Sequence, residues 1–384
     1  SGYRDYMLAM IREVVENYPV DGVFLDCLVY NPCYGNECAE RMAERGLDPL
    51  DDEAVARHTR ESVIDFCREV KKIVGDDKLL LPNGLPHVDR EGIATHVEIE
   101  CLPGAWGYDY FAAQAAYTRN LGKPVIYMSG RFHASWGDFG GLKQKASLEY
   151  DAWDAISNGM SLSVGDHMHP RDGLEPATYR MIGDVFKQLE RLEPWTDGAK
   201  AAAEIAVIYP EGSDFGGNNV RFRQGQTVLY AAARMLGELK YTFDIVEPKM
   251  DLSKYRVILL PDVVTVTPEL KRKLQDHLAK GGGIVSTGYS GLNPEKTAFA
   301  LPEWNVRFDG FDSDNISYFK AEGEAAKAFP DRLCAIYHPS VLLHAEAGAE
   351  TVAAAYKAYF SKHWDGFHGY FYTPPEKPAG RPAV

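Results

Sequence analysis

Between Tyr3 and about Trp195 the chain alternates long amphipathic stretches with short apolar runs. That alternation is the pattern of βαβ units around a parallel sheet. Five strands are expected, at Gly22–Asp26 (GVFLD), Lys78–Pro82 (KLLLP), Thr95–Cys101 (THVEIEC), Pro124–Ser129 (PVIYMS) and Met160–Asp166 (MSLSVGD). Helices over Tyr3–Asn17, Asp52–Val74, Tyr108–Asn120, Gly141–Asn158 and Glu175–Leu192 connect them. Each apolar run ends in polar or charged residues: Asp26, Asn83, Glu100, Ser129 with Arg131, and Asp166 with His167 and His169. The carboxyl ends of barrel strands carry active sites, although an open doubly wound sheet also gathers ligands there. The expected fold class is α/β, a (β/α)8 TIM-type barrel. A closed barrel needs eight units and five are found before the pattern changes, so the chain reads as an internal piece of a longer protein.

A second α/β pattern follows the turn at Pro194–Gly198. It holds the strand Glu204–Tyr209, a helix from Gln226 to Leu239, strands at Phe243–Val246 and Val257–Leu260, a helix at Pro268–Lys280, and the strand Gly283–Thr287. This predicts a small flavodoxin-like domain. Its Gly281-Gly282-Gly283 run stands between helix and strand, which is a helix stop; a phosphate-cradling loop has the opposite order. Beyond Asn293 a mixed or β-rich region is expected, apart from a helix-like stretch at Ala347–Ser361, and it includes the aromatic and histidine cluster His363–Tyr372. That cluster reads either as a seam between domains or subunits or as a local aromatic core. The expected domains are a barrel portion at 1–198, the flavodoxin-like domain at 199–293 and an incomplete third region at 294–384.

Composition narrows the partners. The net charge of -14 and the absence of a basic stripe disfavour nucleic acid, and no apolar run approaches the ~18 residues of a membrane span. Aromatic residues at 12% suit stacking on sugar rings, as they also suit large cores. The six cysteines lack the spacing of a disulfide framework, so they read as reduced thiols in a cytoplasmic protein. Cys27, Cys33 and Cys38 lack a C-x2-C pair and a fourth ligand, which favours a thiol-containing loop over zinc. No metal or cofactor is expected.

Glycosidic cleavage usually needs two carboxyl groups. Asp26 ends an apolar strand, where a carboxylate either caps the next turn or addresses a ligand. In His96–Cys101 the two-residue period sends Val97, Ile99 and Cys101 to one face and Glu98 and Glu100 to the other. With the apolar set against the helices, both glutamates project into the interior, where ionised groups must be paired, bonded or functional. Glu100, nearer the carboxyl end, ranks ahead of Glu98 as acid/base. The glycine-rich stretch Ser129–Gly141 offers Arg131, His133 and Asp138 for sugar hydroxyls and Trp136 for ring stacking, or an ordinary loop with Trp136 as a plug. Asn83, Asp166, His167 and His169 join the candidate substrate contacts, and Trp106 and Tyr108 are candidate pocket walls.

The segments DYMLAMIREVVENYPVDGVFLD, HVEIECLPGAWGYDYF, SGRFHASWGDFGGLK and SVGDHMHP resemble glycosyl hydrolases grouped with the family 151 α-L-fucosidases. LLPD and GGGIVSTGYSGL resemble the β-galactosidase-type trimerisation domain shared with family 42. The resemblance implies a retaining hydrolase acting on a small carbohydrate, a homo-oligomer such as a trimer, and an Asp nucleophile ending the fourth barrel strand. With three strands upstream, the five units are the last five. Asp26 then becomes that Asp, the glutamates end the sixth strand, and Arg131 follows the seventh. A β-galactosidase-like hydrolase and a non-catalytic sugar-binding or assembly protein are the alternatives.

Overall fold

The computed structural model describes residues 2–213, 215–216, 223–312, 316–338, 340–360 and 372–384. It divides into two compact units, one of residues 1–203 and 212–245, the other of residues 204–211 and 246–384.

The first unit opens with α1 (Gly2–Asn17), β1 (Gly22–Leu25), α2 (Asn36–Glu44), α3 (Asp52–Val74) and β2 (Leu79–Pro82). It continues through β3 (Val97–Glu100), α4 (Pro103–Trp106), α5 (Asp109–Thr118), β4 (Val125–Gly130), α6 (Lys145–Ser157), β5 (Ser161–Gly165), α7 (Pro176–Leu189) and α8 (Glu193–Thr196). β1 pairs in parallel with β2, and β3, β4 and β5 form a second parallel sheet in that order. Thr95 links the two sheets: its N–H donates to the Leu80 carbonyl at 3.0 Å, and its Oγ1 accepts from the Leu80 N–H at 3.0 Å. All five expected strands therefore form, side by side.

The period-two expectation holds along β3. Val97, Ile99 and Cys101 are buried in one cluster with Phe111 and Ala115 of α5, Tyr127 of β4 and Ala155 of α6. Ile11, Val70, Val74 and Leu80 form a comparable cluster between α1, α3 and β2. Each such side chain contributes roughly 1.5–3 kcal/mol by leaving water, and the apolar set on the helix side commits the alternate residues to the other face. α3 starts where Asp51 accepts from the Glu53 N–H at 2.9 Å and stops at Gly75, whose φ of +80° suits glycine. α6 begins at Lys145, four residues later than expected. The Gly141 N–H is taken by Asp138 Oδ1 and its carbonyl by Arg131, so those backbone groups serve the preceding loop.

In the second unit β6 (Ile205–Ile208), β8 (Val257–Leu260) and β9 (Gly283–Ser286) run parallel, and the carbonyl of Val246, the last residue of β7 (Phe243–Val246), accepts from the Tyr209 N–H. Helix α9 (Arg223–Glu238) belongs to the first unit, where Tyr230 OH accepts from Gln114 of α5 at 3.2 Å. Helix α10 (Pro268–Ala279) is capped by Thr267 and ends before Gly281, at φ +82°. A Cβ on Gly282 would lie 2.2 Å from the His277 ring, so the Gly-Gly-Gly run is the expected helix stop.

Beyond it, β10 (Val306–Phe311) pairs with β13 (Val341–Ala345), and β12 (Cys334–Ile336), β11 (Ser317–Ala321), β14 (Ala353–Ala358) and β15 (Pro375–Pro382) form an antiparallel sheet in that order. The helix expected at Ala347–Ser361 is instead β14. Its alanines favour a helix locally, but Ala353, Ala355 and Ala358 are buried between two neighbouring strands, and sheet context overrides propensity. Most of the His363–Tyr372 cluster lies outside the described residues; Tyr372 packs edge-on against Tyr337 with ring centroids 5.5 Å apart. No helix among the described residues is long and apolar enough to cross a membrane.

One buried polar group fixes the far end of β4. Lys143 Nζ donates to Asp151 Oδ2 at 2.5 Å and to Ser129 Oγ at 2.7 Å, and Ser129 Oγ donates to the same carboxylate at 2.6 Å. Removing one partner of a buried ion pair leaves an uncompensated charge. Lys143→Met is therefore expected to lower unfolding free energy by about 3–5 kcal/mol, read by chemical denaturation, and Lys143→Met with Asp151→Asn should recover part of that loss.

Candidate active site

The carboxyl ends of β1, β2 and β3 meet at a single amide. The Asn83 N–H donates to the Leu25 carbonyl at 2.8 Å and its carbonyl accepts from the Leu28 N–H at 3.0 Å, so the turn after β2 is fastened to the turn after β1. From that anchored position the Asn83 side-chain nitrogen donates to Asp26 Oδ1 at 3.0 Å and to Glu100 Oε2 at 3.2 Å. Two oxygens on one nitrogen are no further apart than the two bonds laid end to end, about 6 Å, and the fork of an NH2 group sets them about 5 Å apart. Asp26 also accepts from the Cys27 N–H at 2.8 Å on the same oxygen, and Cys27 sits at φ +54°, a costly conformation for a non-glycine residue. Oδ2 of this exposed carboxylate carries no hydrogen bond among the described residues.

Glu100 is held from the other side. Trp136 Nε1 donates to its Oε1 at 2.5 Å. The indole lies over Gly165 at the end of β5, where a Cβ would come within 2.1 Å of the ring, and it stacks on His167 at 5.5 Å with Phe132 edge-on at 5.3 Å. Glycine at 165 is required by that close approach. Glu98, two residues back on the same face, is partly buried, with Oε1 shielded from solvent and lacking a hydrogen-bond partner. Burial first, then the Glu100 and Asp26 charges, push its carboxyl up to about 7 against the opposing pull of Arg90.

The sequence-derived candidates separate into two groups. Asp26, Asn83, Glu98, Glu100 and Trp136 come together, though Trp136 is occupied in positioning Glu100 and packing on His167. Arg131 is buried and spends Nε on Asp166 at 2.7 Å and Nη1 on the carbonyls of Asp138, Phe139 and Gly141. Asp138 accepts from the Ala134 and Gly141 N–H groups, so the 131–141 loop is knitted by its own polar residues. His133 is exposed, and its carbonyl stands 2.1 Å from where a Gly104 Cβ would be. His169 Nδ1 accepts from the Arg171 N–H at 3.1 Å. Trp106, part-exposed, leans on Tyr110 at 5.3 Å, and the Tyr108 hydroxyl pairs with Ser147 Oγ at 2.8 Å.

Sequence reasoning missed His87, Arg90 and Tyr110, which line a small cavity with Asn83, Glu98, Glu100 and Trp106. The signal was present in LPNGLPHVDRE, a glycine- and proline-punctuated loop at a strand end that carries an imidazole and a guanidinium. Among the described residues no cluster of histidine, cysteine or acidic side chains is arranged to hold a metal ion. Cys33 and Cys38 are free thiols with sulfurs 2.9 Å apart.

Residues 203–306 match the β-galactosidase trimerisation domain family. β-Galactosidase LacZ of Lactobacillus acidophilus is 23% identical over 269 residues, covering 62% of this chain and 40% of its own length. Among solved structures, α-L-fucosidase isoenzyme 2 from Paenibacillus thiaminolyticus superposes with a TM-score of 0.85 at 29% identity, over 100% of this chain and 59% of that one. The β-galactosidase from Rahnella sp. R3 shares the fold with a TM-score of 0.72 at 15% identity, over 94% and 66%. The chain thus spans less than two thirds of the length of the LacZ enzyme and of the Paenibacillus fucosidase. It has an α/β fold with parallel sheets like that of TIM-barrel glycosidases; the chain is similar to glycoside hydrolases, and its residues 203–306 match a β-galactosidase trimerisation domain.

Proposed function

We propose that this chain is the catalytic and trimerisation portion of a retaining, exo-acting glycosidase, an α-L-fucosidase. One observation carries the reading: a single Asn83 amide donates to one oxygen of Asp26 and one of Glu100, which brings those two oxygens within about 6 Å of each other. Retaining glycosidases use a separation near 5–5.5 Å, whereas inverting enzymes need room for a water between the pair. In the first step Asp26 Oδ2 attacks the anomeric carbon as the glycosidic C–O bond breaks, and the leaving oxygen takes a proton from Glu100. In the second step water attacks the same carbon, gives its proton to Glu100, and releases Asp26. Trp136 and Asn83 orient the acid/base.

We read the five βα units as those that end a (β/α)8 barrel and the parallel sheet of the second unit as flavodoxin-like, with domain boundaries proposed near residues 198 and 293. Exposed Phe24 on β1 and exposed Tyr3 and Tyr6 on α1 suit a seam with a preceding unit. The protein assembles as a homo-oligomer, a trimer, takes a neutral carbohydrate rather than nucleic acid, and works in the cytoplasm with no cofactor. The fucose assignment rests on the 29% identity to the Paenibacillus enzyme. A β-galactosidase is the second reading, favoured by the matched curated relatives. A second assignment of the acid, to Glu98, is favoured by its pKa of about 7, near the operating pH a general acid needs.

Hydrolysis of 4-nitrophenyl α-L-fucoside with no turnover of the β-D-galactoside is the expected result; the reverse preference supports the second reading, and no turnover of either favours a binding or assembly protein. Asp26→Asn should lower kcat by about 10³-fold or more on every cleaved glycoside. Glu100→Gln should spare 2,4-dinitrophenyl glycosides, whose leaving group needs no proton, and azide should raise its turnover. The same pattern in Glu98→Gln instead would reassign the acid.

A carboxyl whose folded pKa is raised costs stability as pH climbs from its unfolded pKa to its folded one, and the cost then levels off. Glu98→Gln should therefore melt like the parent protein near pH 4.5 and gain on it steadily to about pH 7, with a constant difference above. A melting difference independent of pH would show that Glu98 ionises normally.

A further inference from the structure

Three buried polar atoms at the cavity beside Glu100 lack a hydrogen-bond partner among the described residues: Arg90 Nη1, His87 Nδ1 and Glu98 Oε1. Each such group is penalised by its lost hydration when left unmet, and three around one cavity point to something that binds there. Arg90 and His87 are 4% and 5% exposed, so bulk solvent does not serve them.

What fits is set by the donors and acceptors. Arg90 is pinned by Nε on the Leu85 carbonyl at 2.8 Å and by Nη2 on the Gly216 carbonyl at 3.3 Å, which leaves Nη1 as a fixed donor. Gln114 donates its amide nitrogen to Tyr230 OH and turns its oxygen to His87 Nε2 at 3.0 Å, which assigns the ring proton to Nε2 and leaves Nδ1 an acceptor. Burial keeps that imidazole neutral, with a pKa near 3, and lowers Arg90 only to about 10, so it remains charged at neutral pH. An anion would meet Arg90 but also Glu98 and Glu100, and a metal cation would meet the guanidinium. A neutral hydroxyl accepts from Arg90 while donating to Glu98 or His87, and satisfies both signs at once.

We infer that Arg90, His87 and Glu98 form a hydroxyl-recognising subsite for the sugar held between Asp26 and Glu100, so that these three residues determine specificity. The inference rests on the glycosidase reading. It places a sugar hydroxyl against Arg90 Nη1, and a site built to bond a hydroxyl discriminates strongly against an analogue that lacks it.

Isothermal titration calorimetry with L-fucose, D-galactose and the 2-, 3- and 4-deoxy form of each tests this. The parent protein should bind one deoxy analogue at least tenfold more weakly than the intact sugar. Arg90→Met should bring the intact sugar down to that weaker affinity while leaving the one deoxy analogue within twofold of its former value. Glu98→Leu should do the same, and because it keeps the Arg90 clamps on Leu85 and Gly216 it decides the matter if Arg90→Met does not fold. Unchanged affinity in both variants would mean that the corner holds only water and would overturn the inference; uniform weakening across all analogues would assign these residues to packing and overturn it as well. Failure of the parent protein to bind either intact sugar would instead strike the glycosidase reading, and the subsite with it.

Discussion

One side-chain amide governs the geometry of this site. Asn83 can reach both Asp26 and Glu100 only because β1 and β2 run parallel in the register that sets Leu25 opposite Pro82, and because its own N–H and carbonyl are tied to the turn after β1. A slip of one residue would send Asn83 to the opposite face and remove the link between the two carboxyls. The amide donates to one oxygen of each carboxyl and does so from a backbone position tied to the turn after β1.

The same logic of fixed faces explains why carboxyls stand in the interior at all. β3 commits Val97, Ile99 and Cys101 to the helix side, where Phe111 and Tyr127 enclose them, and Glu98 and Glu100 have no other direction to take. Their environments then diverge. Glu100 accepts from Asn83 and Trp136, while Glu98 lies deeper with one oxygen unbonded and holds its proton to about pH 7. The loop after β4 supports this arrangement: Arg131 gathers three carbonyls and Asp166, and the indole of Trp136 rests on Gly165 with its N–H on Glu100.

Much of the first unit was legible in the sequence, because short apolar runs ending in Asp26, Asn83, Glu100, Arg131 and Asp166 declare both the strands and the end at which they carry polar groups. The alternation in HVEIEC foretold which face each residue of β3 would take. What stayed hidden depends on long-range contacts. Arg131 and Trp136 were readable as binding-loop residues, but only the folded chain shows them engaged with protein partners. His87 and Arg90 acquire meaning from Gln114, Tyr230 and Gly216, which are distant in sequence. The alanines of β14 look helical until β11 and β15 flank them.

The central claim is that Asp26 attacks the anomeric carbon and forms a covalent glycosyl intermediate. Incubation with 2-deoxy-2-fluoro-L-fucosyl fluoride, or with the galactosyl reagent if the protein cleaves galactosides, slows release of that intermediate enough for peptide mass spectrometry. The expected result is one sugar adduct per chain on the peptide that contains Asp26. An adduct on Glu98 or Glu100, or the absence of any adduct from a protein that turns over the matching glycoside, would contradict it.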